Sequence, residues 1–219
     1  MRTFPFPDRI ESREELKRDT LYRKIPSEKL EEISNIAWNR GVVAAQALLE
    51  QHSGKNIWQI AQAEGLTVLR EDRDNVSGSV RYFSEYFSAR KEIVLYVDSV
   101  RLWARANSLE LKAAEELILS HEMYHHMECT TLGLTSDLYL VPWIRVGKIT
   151  IGKCGIRALS EIGAHGFSRT YYEGHTIRLQ SVSEPLHNCA VDVSLCENRR
   201  CADQIYRDNA VLRFLSGRK

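Results

Sequence analysis

The sequence predicts an α+β fold in which a short antiparallel sheet packs on helices and a central helix carries the reactive side chains. Three observations predict it. Apolar residues recur at helical spacing over long stretches before residue 65 and after residue 108. Between them, residues 66–70, 76–83 and 93–97 are rich in β-branched and aromatic side chains, separated by polar or glycine-bearing turns. With 219 residues, 43% apolar and 27% charged, the chain can bury one substantial core plus extensions.

Taken in order, residues 1–24 are dense in Arg, Glu, Lys and Asp around a short amphipathic run at 12–21, and are expected to form a peripheral arm without chemistry. After Pro26, Ser27 is placed to cap a long helix on which Leu30, Ile33, Ala37, Ala44, Ala47 and Leu48 recur, ended by Ser53-Gly54. A shorter helix over 56–64 stops at Gly65. The three strands follow as a meander, and Asp98 or Ser99 then opens a short helix to Arg105. Ser108 is expected to cap the best-defined helix, 109–129, after which comes a loop rich in Gly, Thr and Pro. A further helix is expected over 156–172 and a terminal helical turn over 209–215. The chain thus divides into an N-terminal helical extension (1–54), a main domain (55–180) and a C-terminal extension (181–219), with no internal repeat or low-complexity tract.

Composition excludes some function classes. The 30 basic and 29 acidic residues almost cancel, so no single-sign field is available for phosphate backbones or anionic membranes, and no direct nucleic-acid partner is expected. Trp58, Tyr82, Phe83, Tyr86, Phe87 and Trp103 therefore read as core or sheet-face residues rather than a base-stacking platform. No stretch has the length or apolarity of a signal peptide or membrane span, so a cytoplasmic protein is expected. The five cysteines are an odd number and read as thiols; His187, Cys189, Cys196 and Cys201 lack the tight paired spacing of a structural zinc module.

The chemistry sits on the 109–129 helix. Its apolar stripe Ala114, Leu117, Ile118 runs directly into His121 and His125, four residues apart on the same inward face. The sequence His121-Glu122-Met123-Tyr124-His125 is an H-E-x-x-H motif, whose spacing lets both rings reach one zinc ion. Glu122 lies roughly 100° around the helix from His121, where it flanks the metal as a base and does not complete its coordination. His126, equally off the ligand face, is expected to be exposed or to support a ligand. A catalytic zinc usually takes three protein ligands, so a third donor is needed. Glu161 is the candidate, on the 156–172 helix with Ala164 and Phe167 packing inward beyond it; this segment alone favours a solvated charge there, and His165, one turn on, competes for the role or orients a ligand. An oxyanion donor is not singled out among Arg169, Tyr171, Tyr172 and His175.

On these residues the chain resembles the ImmA/IrrE family of zinc metallopeptidases, whose members pair an H-E-x-x-H helix with a downstream E-x-x-A-N/D-x-F helix after a small antiparallel sheet. The resemblance covers roughly residues 55–168, with His121, Glu122 and His125 in the first motif and Glu161, Ala164 and Phe167 in the second. His165 stands where the family usually has Asn or Asp. The resemblance implies a zincin-like domain over 55–180, Glu161 as third zinc ligand, and endopeptidase action on a DNA-binding helix-turn-helix repressor, relieving repression of genes often carried on mobile elements. An extended substrate would add to a sheet edge, with 76–83 or 93–97 as the expected edge strand. Two other functions stay open at this level: a catalytically silent zinc-binding scaffold, and an amidase acting on non-peptide amides.

Overall fold

Why the helices fall where they do is visible at their ends. In the computed structural model, which describes residues 4–146, 149–183 and 210–215, helix α1 (Leu30–Gln51) follows a 3-10 turn at Ser27–Lys29. Ser27 turns its hydroxyl to Glu28 and caps nothing. Helix α2 (Ile57–Ala63) has a complete capping box between Asn56 and Gln59, and Gly65 beyond it takes a left-handed conformation.

Strands β1 (Thr67–Glu71), β2 (Asn75–Ser77), β3 (Val80–Phe87) and β4 (Glu92–Tyr96) follow. Two expectations are corrected here. The predicted strand 76–83 is a hairpin, β2 and β3, turning at Gly78 in the positive-φ region. The sheet is not an antiparallel meander either, because β4 pairs antiparallel with β3 but parallel with β1, Thr67 to Glu71 against Glu92 to Tyr96. Residue pattern marks a strand, whereas its neighbour is chosen by packing across the chain, here after the β2–β3 excursion.

Helix α3 (Val97–Ala106) starts directly from β4, and α4 (Leu111–Met127) crosses the sheet. Ser108 does not cap α4. It adopts φ of 54° while the Leu109 amide closes the end of α3 on the Ala104 carbonyl, and Glu110 leads into α4 in extended conformation. After α4 comes a π-helical turn at Glu128–Leu132, then a two-stranded hairpin, β5 (Leu140–Val146) and β6 (Ile149–Gly155), where a loop was expected. This hairpin exposes the apolar Leu140, Trp143 and Ile151 while burying Val141, so no polar-apolar alternation in the sequence announced it. Helix α5 runs from Ala158 to Ser183, beyond the expected end at 172. The expected helical turn at 209–215 is a strand, β7 (Ala210–Leu215), paired antiparallel with β3. His187, Cys189, Cys196 and Cys201 lie outside the described residues.

The result is a mixed helix-and-sheet structure, compatible with the α+β class. One hydrophobic cluster joins α1, α2, β3, β4, α3, α4 and α5, with Ile57, Ile93, Leu95, Ile118, Met123 and Phe167 fully enclosed. A second lies under the arm, between α1 and the start of α5. The arm is therefore not peripheral: Phe6, Ser12, Leu16 and Leu21 are buried, and residues 11–18 form a 3-10 helix against α5. No helix among the described residues is long and apolar enough to cross a membrane.

Candidate metal centre

The interior stripe of α4 ends in polar side chains. Ala114, Leu117 and Ile118 are buried, and on the turns beyond them His121, Glu122 and His125 are buried too. A helix that places two imidazoles and a carboxyl where core residues belong must satisfy them from its neighbours. Helix α5 supplies one such neighbour. It approaches α4 closely at Gly163, where a Cβ would meet the Tyr124 hydroxyl at 2.4 Å. Ala164 and Phe167 are fully buried below that crossing, and Glu161 on the same helix reaches toward the two rings.

The distances define a cluster. His121 Nε2 and His125 Nε2 are 3.2 Å apart, Glu161 Oε2 is 3.3 Å from His121 Nε2, and Glu161 Oε1 is 3.7 Å from His125 Nε2. One donor atom from each residue lies within 4.8 Å of the other two. Two ligand atoms bound at about 2.0–2.1 Å to one ion at a tetrahedral angle are about 3.3 Å apart, and these separations are compatible with that spacing. The three residues form a group able to hold a metal ion.

No family model, curated protein or solved structure matches the chain.

Glu122 sits beside the group and outside it. The Ser84 hydroxyl, from β3, donates to Glu122 Oε1 at 2.6 Å, while Oε2 is buried without a hydrogen-bond partner. Burial pushes this carboxyl up to about 7, against the pull of the His125 charge and the Ser84 bond. Glu161 goes the other way. Enclosure works against its charge, but the hydrogen bond to His121 and the charges of His125 and His121 outweigh that and hold it at about 2. Burial also disfavours charge on His125, yet its bond to Glu128 and the carboxylates of Glu161, Glu128 and Glu122 raise it to about 9. For His121 burial wins and the ring is shifted downward.

Of the two candidates for third donor, Glu161 is the one whose oxygens approach both rings. His165 is buried beside His121, ring centroids 5.5 Å apart, but its Nδ1 is engaged by the Ser12 hydroxyl at 3.2 Å, and burial pushes it down to about 3. His126 is not exposed: it is buried, with Nδ1 3.0 Å from the Tyr86 hydroxyl. The four residues considered as oxyanion donors are not gathered at the cluster. Tyr171, Tyr172 and His175 line a cavity of about 520 Å³ with Asn56 and Glu116, and ten residues of helix separate Tyr171 from Glu161, about 15 Å. Arg169 pairs with Glu173 and stacks over Phe4.

Several residues that shape the centre had no sequence signal. Phe6 packs its ring 5.7 Å from His121 and 5.8 Å from His165, so the arm forms a wall of the site. Ser84 and Ser12 arrive from segments far away in the chain. Glu128 alone was legible in principle, as a carboxyl one turn after a candidate ligand on the same helix face.

The expected edge strands fare differently from the site residues. β4 lies between β1 and β3, and β3 carries β4 and β2 as well as β7, so neither has an open edge among the described residues, whereas β2, which begins the expected 76–83 segment, pairs with β3 alone and is an edge.

Proposed function

We propose that the chain is a zinc-dependent endopeptidase of the ImmA/IrrE type, zincin-like in architecture, with His121, His125 and Glu161 as the zinc ligands and Glu122 as the general base. The observation that carries this reading is the convergence of two imidazole nitrogens and one carboxylate at ion-sharing distances, with a second buried carboxyl alongside that takes no part in the cluster. Two nitrogens and one oxygen are the donor set of a catalytic zinc that keeps a position free for water or substrate. When bound, zinc supplies Lewis acidity and makes a water molecule far easier to deprotonate.

The protein residues do the rest. Ser84 fixes one oxygen of Glu122, leaving the other free to take a proton and later return it to the departing amine. Phe6, Trp103 and Phe83 cover one side of the centre and limit water there, which strengthens every charge interaction inside. The near-neutral charge balance suits a protein substrate rather than nucleic acid. In line with the resemblance, that substrate is a helix-turn-helix repressor, cut in the cytoplasm to relieve repression. A silent scaffold has use for the three ligands but none for Glu122, and the cost of burying a carboxyl with a free oxygen favours the enzyme over it.

Glu122→Gln tests the reading. The variant should retain zinc near one per chain, while cleavage of a helix-turn-helix repressor encoded in the neighbouring gene, followed by intact mass, falls about 10²–10⁴-fold. Cleavage at the wild-type rate would remove Glu122 from the mechanism.

A further inference from the structure

The α4 helix ends where a buried carboxylate begins. Glu128 is 4% exposed and opens the π-helical turn that follows α4. All its hydrogen bonds point into the protein. Oε2 lies 2.9 Å from His125 Nδ1; Oε1 accepts from the Thr135 amide at 2.8 Å and from the Ser160 hydroxyl at 2.9 Å. Ser160 immediately precedes Glu161 in α5, and Thr135 Oγ1 in turn meets the Tyr124 hydroxyl at 2.6 Å. One side chain therefore touches a metal-facing histidine on one helix and the residue next to the third candidate ligand on the other.

We infer that Glu128 is a positioning residue for the metal centre: its carboxylate holds the proton of His125 on Nδ1, leaving Nε2 free to bind metal, and ties α4 to α5 so that His125 and Glu161 can share one ion. This rests on the metal centre proposed above. The geometry explains why the residue must be a carboxylate. Both oxygens face donors, so both must accept. A glutamine has one acceptor and one donor. Turned one way it confronts the Thr135 amide and Ser160 with N–H groups. Turned the other way it donates to His125 Nδ1, which drives the imidazole proton to Nε2 and closes the nitrogen that faces Glu161 and His121. Outer carboxylates that orient ligand histidines typically change metal affinity by about 10–100-fold when altered.

The test uses the full chain, wild type and Glu128→Gln, with zinc as the probe. Zinc dissociation constants are measured by competition with a chromophoric chelator, alongside the melting temperatures of both metal-free proteins. The expected result is zinc binding about 10–100-fold weaker in the variant, with the metal-free melting temperature changed by only a few degrees. Nitrogen–proton spectra of the cadmium-loaded wild type should also show a downfield, exchange-protected proton on His125 Nδ1 and cadmium coupling to Nε2. That measurement decides the matter if the variant does not fold. Equal zinc affinity in the two proteins overturns the role of Glu128 and leaves the metal centre standing, as does the absence of a protected Nδ1 proton in the loaded wild type. A wild-type chain that binds no zinc overturns both.

Discussion

At the scale of single residues, the centre is a set of titrating groups pushed apart by their surroundings. His125 is held protonated up to about pH 9 in the metal-free protein, while Glu161 is already ionised far below neutrality and His121 is shifted downward by burial. On the proposed reading zinc must displace one proton, that of His125, at every pH below the raised value of about 9. The sign follows directly: as pH falls through 9 the proton competes better and zinc affinity drops, by about tenfold per pH unit for one coupled proton. Competition titrations from about pH 8.5 to 6.5 should show roughly a 100-fold loss. A flat profile contradicts the assignment of these charges. The residues that create the shifts were only partly legible. His121 and His125 stand out because two imidazoles occupy an apolar stripe, and Glu122 because it lies between them in the motif, whereas Glu161, a solvated charge on its segment alone, stands out only through the second motif of the resemblance. Ser84 and Phe6 could not be read, since nothing local tells a serine in a strand, or a phenylalanine in a charged arm, that it will face a histidine many residues away.

At the scale of elements, the centre depends on how closely helices can approach. α1 touches α5 backbone to backbone: a Cβ on Gly41 would lie 1.9 Å from the Gly163 carbonyl oxygen, while Gly163 itself faces Tyr124 of α4. One glycine pair thus sets the spacing of α5, and with it the reach of Glu161. Gly41→Ala gains about 0.5–1 kcal/mol of helix preference but must push two backbones apart, at roughly 1–3 kcal/mol. The second effect should win. A lower melting temperature, by roughly 2–4 °C for each net kcal/mol, is the expected readout; an unchanged or raised one would show that α1 and α5 do not meet as described. Helices were the legible elements, because a period of 3.6 is local, although the caps expected at Ser27 and Ser108 are not formed. Sheet order was not, since the parallel pairing of β1 with β4 depends on which strand the packing leaves free. The β5–β6 hairpin escaped because Leu140, Trp143 and Ile151 are apolar yet exposed, which blurs the polar alternation of a strand.

At the scale of the whole molecule, segments that look separable in sequence converge on one place. The arm supplies Phe6 and Ser12, β3 supplies Ser84, α4 supplies His121, Glu122 and His125, and α5 supplies Glu161 and His165. The balanced charge leaves no long-range field, so what distinguishes this molecule is the buried polar cluster at the meeting point of its layers. Such clusters are costly unless something compensates them, and His121, His125 and Glu161 are a group that could hold an ion doing so. The most direct test is an anomalous difference map, recorded at the zinc edge, of crystals of the protein purified without chelator. One peak per chain is expected, within bonding distance of His121 Nε2, His125 Nε2 and one Glu161 oxygen. No peak among these three residues, with the rings turned away from each other, would contradict the proposed centre.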